Sequence, residues 1–214
     1  MGSFAVIGLG RFGESVAKTL VSLGHEVLGI DIAEEKVQEL SEHLTQVVIA
    51  DTRHEDVLKK LGIRNFDGVV IAIGQNIEAN ILTTIIVSQL GTKNIIAKAQ
   101  SDIHGEVLKR VGANKVVFPE KDMGQKVAHS IVSGNILDFI ELSSKHSIAE
   151  CTAPINFIGK SLGALDLRAK HGISVLAIKK GDKIIVSPGA GNLIEENDLL
   201  VILGCNEDID VYIG

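Results

Sequence analysis

Three glycines at G-x-G-x-x-G spacing, Gly8, Gly10 and Gly13, stand between an apolar run at 4–7 and a helix-like pattern that begins at Arg11. A carboxylate, Asp31, closes the next apolar run, at about the 20-residue distance at which such a group meets a ribose. Each residue type has a job in that setting. Gly8 permits a tight turn out of the strand, Gly10 lets the backbone approach a pyrophosphate, and Gly13 lets the helix pack close to the strand. The helix N-terminus offers free N–H groups and the positive end of its dipole to phosphate. Asp31 can accept hydrogen bonds from ribose hydroxyls and would repel a 2′-phosphate, or it can cap a helix that starts near Ala33. Together these residues mark a site for an adenine nucleotide, and leave open whether that nucleotide is a redox cofactor or a signal.

Other residues extend the site. Arg11 lies inside the glycine loop, where the dipole already suffices for a pyrophosphate. Its guanidinium is either a solvated cation or a reader of further phosphates, of this nucleotide or a neighbour's. Phe12 in the loop and Ile32 after Asp31 flank the same position. Asp51 and Thr52 follow the third strand-like run, on the adenine edge. Ala72, Ile73 and Gly74 end the fourth, at the switch point beside the first, where small residues leave room for a ligand. Lys98, just past the fifth, can meet phosphate or ribose. Glu120 follows Pro119 after the sixth. It is either a helix-start acid or an oxygen ligand for a divalent cation, Mg²⁺ or Ca²⁺, shared with nucleotide phosphates.

The elements that must position these groups alternate. Strands are expected at 4–7, 27–30, 47–50, 68–73, 95–97 and 116–118. Helices are expected at 11–23, 34–43, 54–61, 76–90, 103–111 and 122–133. That order predicts an α/β fold, a Rossmann-like doubly wound parallel sheet of six strands. The 76–90 segment is apolar on more than the roughly 100° stripe of a surface helix, so it is expected to be well buried, or to pack on its own sheet and on another subunit. Residues 134–142 read as a crossover linker between a nucleotide-binding domain at 1–133 and a small α+β module at 143–214. In that module, strands are expected at 147–152, 173–178, 183–186 and 199–203, with a hairpin turn at 179–182 and a helix at 161–171. So small a module gains from dimerising.

Composition excludes several classes. A chain of 214 residues with a formal charge of −6 and scattered Lys and Arg has no stripe to neutralise a nucleic-acid backbone. Aromatic residues are 3%, with no Trp, so there are few platforms for stacking bases. No apolar run reaches the roughly 20 residues of a membrane helix, and the first strand begins too early for a secretory signal, so no direct membrane insertion is expected. Cys151 and Cys205 form no ligand-like spacing and read as thiols of a reducing cytoplasm. The histidines make no zinc cluster, and His54, His104 and His129 are assigned to surface or interface roles. No Ser/His/Asp arrangement, nucleophile elbow or Walker lysine loop occurs.

These residues also carry a resemblance. The segments 5–13, 50–52, 70–74, 96–99 and 118–124, with 159–162, 165–168 and 186–188 in the C-terminal module, resemble the regulator-of-potassium-conductance (RCK) family. Within it they are most similar to the cytosolic subunits of the Ktr/Trk potassium-uptake systems. The likeness runs in order through nearly the whole chain; Ala50 departs from a glycine common in the family. It implies a homodimer assembling to an octameric ring beneath an integral-membrane potassium transporter, on the cytoplasmic side. ATP and ADP, or NAD and NADH in the Trk branch, would hold the ring in different shapes. Carried over, Gly8, Gly10 and Gly13 would cradle phosphates and Asp31 would bind ribose. Arg11 would reach the terminal phosphate, and Glu120 would help bind a cation between subunits. The C-terminal (RCK_C) module would bind cyclic di-AMP, with Arg168, Ser174, Val175 and Pro188 as candidates.

The expected function is therefore a nucleotide-controlled gating subunit and not an enzyme. The alternatives are an NAD-dependent oxidoreductase, for which the C-terminal module shows no acid–base set, and an RCK regulator of a potassium/proton antiporter or channel.

Overall fold

The computed structural model describes residues 1–132 and 135–213, apart from the side chains of residues 129, 130 and 132. Two compact units divide the chain, Met1–Glu120 and Lys121–Gly214.

The first unit is built on a sheet whose central strands are buried on both faces. β1 (Ser3–Ile7), β2 (Glu26–Asp31), β3 (Gln46–Ile49), β4 (Gly68–Ile71), β5 (Ile95–Lys98) and β6 (Lys115–Val117) form one sheet in the order β3-β2-β1-β4-β5-β6. Every pairing in it is parallel. Parallel strands need crossovers, and these are supplied by α1 (Arg11–Ser22), α2 (Glu34–Leu40), α3 (Glu55–Lys60), α4 (Ile77–Gln89) and α5 (Asp102–Arg110). Alternation along each strand divides the core in two. Ala5, Ile7, Leu28, Ile30, Val69 and Ile71 face one cluster, whereas Val6, Val27 and Val70 face the other. The strand order reverses between β1 and β4, and there the crevice opens. The predicted doubly wound sheet is the one observed.

The second unit contains β7 (Ile136–Ser143), β8 (His146–Thr152), β9 (Ser174–Lys180), β10 (Lys183–Val186) and β11 (Leu199–Cys205), in the order β10-β9-β11-β8-β7. All of these pairings are antiparallel. Gly181, at φ 55°, turns the β9–β10 hairpin where the lysine–glycine signal placed it. The remaining α-helices among the described residues are α6 (Pro119–Val132), α7 (Leu162–Leu165), α8 (Leu167–His171) and α9 (Asn206–Tyr212).

Several expectations are corrected. The part of the expected crossover linker at 134–142 that is described is not a linker but most of β7, an edge strand that buries Ile136. The domain limit at 133 and the side chain of His129 lie outside the described residues. The single helix expected at 161–171 is broken into α7 and α8, because Asp166 adopts the left-handed region at φ 49°. The strand expected to run to 73 ends at Ile71, which releases Ala72, Ile73 and Gly74 into the crevice. α6 begins at Pro119, a residue suited to the first helical position because its missing N–H would have had no helical partner. His104 is buried rather than at the surface, because α5 turns it inward with Gly105 and Leu108.

Candidate nucleotide site

At the crevice the chain leaves β1 through Gly8, whose φ of 92° is readily available only to glycine. Its N–H donates to the Ile30 carbonyl at 2.8 Å, tying the loop to β2. A Cβ on Gly8 would lie 2.9 Å from backbone atoms of Ala72 and Ile73, and one on Gly13 would run into the Gly8 carbonyl oxygen. Both glycines are therefore required by packing. Gly10 differs. Its φ of −67° suits any residue, and a Cβ there would meet nothing within 4 Å. The space in front of Gly10 is open, and no side chain caps the first turn of α1, whose leading N–H groups have no helical acceptor.

Asp31, at the end of β2, accepts from the Leu9 N–H at 2.6 Å through Oδ2 and from the Ala33 N–H at 2.9 Å through Oδ1. It thus holds the glycine loop and the turn before α2 together. Each oxygen keeps a second lone pair for a ribose hydroxyl. The N-cap of α2 is Ala33, so Asp31 does not cap that helix.

The loop after β3 carries Asp51 and Thr52. Arg53 grips Asp51 with two nitrogens, at 2.6 Å from Nη2 and 2.9 Å from Nε, and adds its backbone N–H at 3.0 Å. These donors pull the Asp51 carboxyl down to about 2. Thr52 is buried, its hydroxyl 2.9 Å from that of Thr83 on α4.

Lys98 ends β5 and is nearly buried. Its Nζ donates to Glu120 Oε1 at 2.5 Å and lies 5.8 Å from the centre of the Phe12 ring. That ammonium holds the Glu120 carboxyl below its usual range. Glu120 is itself in the first turn of α6, so its helix-start and cleft positions coincide.

These groups line one cleft of about 1040 Å³. Gly8, Gly10, Arg11, Phe12, Asp31, Ile32, Asp51, Thr52, Ala72, Ile73, Gly74, Lys98 and Glu120 all border it, and Gly13 stands behind it, against Gly8. The volume suits a nucleotide, since sites for drug-sized ligands run to roughly 1,000 Å³. Lys36, Arg53, Asn76 and Gln100 also line it and were not expected. Arg53, Asn76 and Gln100 were legible, each two residues beyond an expected site residue, Asp51, Gly74 and Lys98; Lys36 sits on α2, which tertiary packing brings round. Among the described residues, no three His, Cys, Asp or Glu side chains gather as a metal cage. A cation at Glu120 would therefore draw its remaining oxygens from elsewhere, phosphates included.

Arg168 is exposed on α8, and Ser174 and Val175 open β9. The loop carrying Pro188 is held beside β9 by the Ser187 N–H, which donates to the Leu176 carbonyl at 2.8 Å. These four residues sit on adjoining elements of the second unit.

Known proteins bear on both units. Residues 4–119 match the sequence model of the TrkA-N domain, and residues 150–212 that of the TrkA-C domain. The Ktr system potassium uptake protein C of Bacillus subtilis (strain 168) is 50% identical over 209 residues, spanning 98% of this chain and 95% of that protein. Its protein A counterpart in the same organism is 48% identical, spanning 96% and 93%. The solved GsuK RCK domain aligns with 100% of this chain and 48% of its own, with a TM-score of 0.70 at 22% identity, a likeness of fold.

Proposed function

The chain belongs to the regulator-of-potassium-conductance family, in its Ktr/Trk potassium-uptake branch, and on that premise we propose that it is a gating subunit controlled by ATP and ADP. It is a regulatory protein and not an enzyme. Its partner would be an integral-membrane potassium transporter, reached from the cytoplasmic side by a ring of homodimers. Among the described residues no helix is long and apolar enough to cross a membrane. A cyclic dinucleotide in the second unit, at Arg168, Ser174, Val175 and Pro188, is supported by the family likeness alone.

The observation that carries the nucleotide reading is the open position at Gly10. Everything around the glycine loop is tightly packed except the side facing the cleft and the free first turn of α1. Pyrophosphate would lie there, ribose at Asp31, and adenine toward Asp51, Thr52 and Arg53. The terminal phosphates would meet Arg11, Lys98 and Glu120. A phosphate that draws Lys98 away would leave Glu120 able to hold a divalent cation with phosphate oxygens. Gating then requires that ATP and ADP bind two ring shapes with different free energies, because a ligand with equal affinity for both shifts nothing.

Gly10→Ala tests this directly. The backbone accepts alanine, so the thermal midpoint should stay within about 2 °C of wild type, the range expected of a substitution that disturbs no packing. Nucleotide affinity should fall at least tenfold, about 1.4 kcal/mol. Unchanged affinity would place the phosphates elsewhere.

A further inference from the structure

α4 packs Ile81, Ile86 and Val87 on the core, but it buries polar residues there as well. Asn80, Thr83 and Thr84 are fully buried against the rest of their own unit, while Ile77 and Leu82 on the same helix are 42% and 37% exposed. Amphipathic packing alone would give those fully buried positions to apolar side chains such as Ile77 and Leu82. Buried polar groups carry a desolvation penalty unless they are bonded, so the inward positions must have a use.

Their hydrogen bonds show what that use is. The Asn80 Nδ2 donates to two carbonyls at once, of Ile73 at 2.7 Å and of Lys98 at 3.0 Å. The parallel pairing of β4 with β5 has its last register at Ile71 and Ala97. Asn80 therefore adds a side-chain rung where the two strands part, at the mouth of the cleft. On either side of that rung stand Gly74 and the Lys98 ammonium, with a Cβ on Gly74 lying 3.5 Å from Nζ. One turn further along the helix, the Thr83 hydroxyl holds that of Thr52, in the loop after β3. Among the described residues Asn80 Oδ1 is buried with no partner, so the amide is oriented by its two donor contacts.

We propose that Asn80 and Thr83 are positioning residues of the nucleotide site. Asn80 sets the spacing of Gly74 and Lys98 at the phosphate end, and Thr83 sets the Asp51–Thr52 loop at the adenine end. This rests on the nucleotide reading above and adds to it a division of labour along one buried helix face. ATP and ADP differ only at the phosphate end, so the two residues should act differently on them.

Calorimetric titration of ATP and of ADP into the full chain, as wild type, Asn80→Ala, Asn80→Ser and Thr83→Val, tests the division. Asn80→Ala should lower ATP affinity at least tenfold and ADP affinity clearly less, so that the ATP:ADP ratio falls. Thr83→Val, which keeps the volume and loses the hydroxyl, should lower both by the same factor of about three to ten, the loss of one hydrogen bond. A merely structural role would lower the thermal midpoint and leave the ratio alone. The proposal is overturned by an unchanged ratio in folded Asn80→Ala. It is also overturned if both Asn80 variants fail to fold, since the amide then serves the core, or if Thr83→Val binds both nucleotides as wild type does. A wild type that binds neither nucleotide overturns the nucleotide reading itself, and this inference with it.

Discussion

Of the four cations lining the cleft, Lys36, Arg53 and Lys98 each hold a carboxylate: Glu39 at 2.7 Å, Asp51 at 2.6 Å and Glu120 at 2.5 Å. Arg11 is exposed at the loop and pairs with no carboxylate among the described residues. It is the cation free to answer an added phosphate without first breaking a bond. Arg11→Ala should therefore lower the preference for ATP over ADP, by about fivefold or more, as expected for losing one charge-assisted contact of roughly 1–2 kcal/mol. Calorimetry on the purified variant reads the ratio, and an unchanged ratio would assign the discrimination to Lys98 and Glu120. Residues of this kind were legible in the sequence. Arg11, Asp31, Lys98 and Glu120 each follow or adjoin a strand end, and in a parallel sheet strand ends converge. The pairings were not legible. Nothing in spacing says that Lys98 meets Glu120, 22 residues away, or that Asp51 is already gripped by Arg53.

At the scale of elements, α1 stands on the glycine loop through Gly13. Its Cα approaches the Gly8 carbonyl so closely that a methyl group cannot be admitted without moving helix or strand. Gly13→Ala should destabilise the fold by about 1–3 kcal/mol, the usual penalty of overpacking, and weaken nucleotide binding as well. Thermal unfolding compared with Gly10→Ala separates the two glycines: the first variant loses stability and binding together, the second binding alone. The sequence legibly assigned Gly10 to the approach of a pyrophosphate and Gly13 to close packing of helix on strand, because the strand, helix and carboxylate around them were regular. The inward face of α4 was not legible. Periodicity reports which residues are apolar, and on α4 the buried set, Asn80, Thr83, Thr84 and Val87, cuts across that pattern. β7 and the break at Asp166 were missed for a related reason. An edge strand exposed over most of its length shows weak alternation, and one left-handed residue interrupts a helical pattern without erasing it.

At the scale of the whole molecule, two cores with different sheets lie in one chain, and every lining residue of the cleft comes from the first. That unit buries His104, and burial lowers the pKa of its imidazole. Above the unfolded value of about 6.5, both states are neutral and His104 adds no pH dependence. Below it the unfolded chain takes up a proton that the folded chain resists, so stability falls as the pH drops. Thermal midpoints at pH 7.5 and 5.5 should show a larger acid loss for wild type than for His104→Gln. Equal losses would mean that the ring is protonated freely in the folded state. Asp51 stays ionised across this range, because Arg53 holds its pKa down to about 2.

The central claim is that the cleft reads the phosphates of an adenine nucleotide rather than carrying out hydride transfer. The measurement that meets it most directly is a calorimetric panel of ATP, ADP, NAD and NADH on the wild-type chain, with and without Mg²⁺ or Ca²⁺. Tight binding of ATP and ADP is predicted, with the divalent cation strengthening ATP more than ADP. Binding of NAD and NADH with no response to either adenosine phosphate would contradict it.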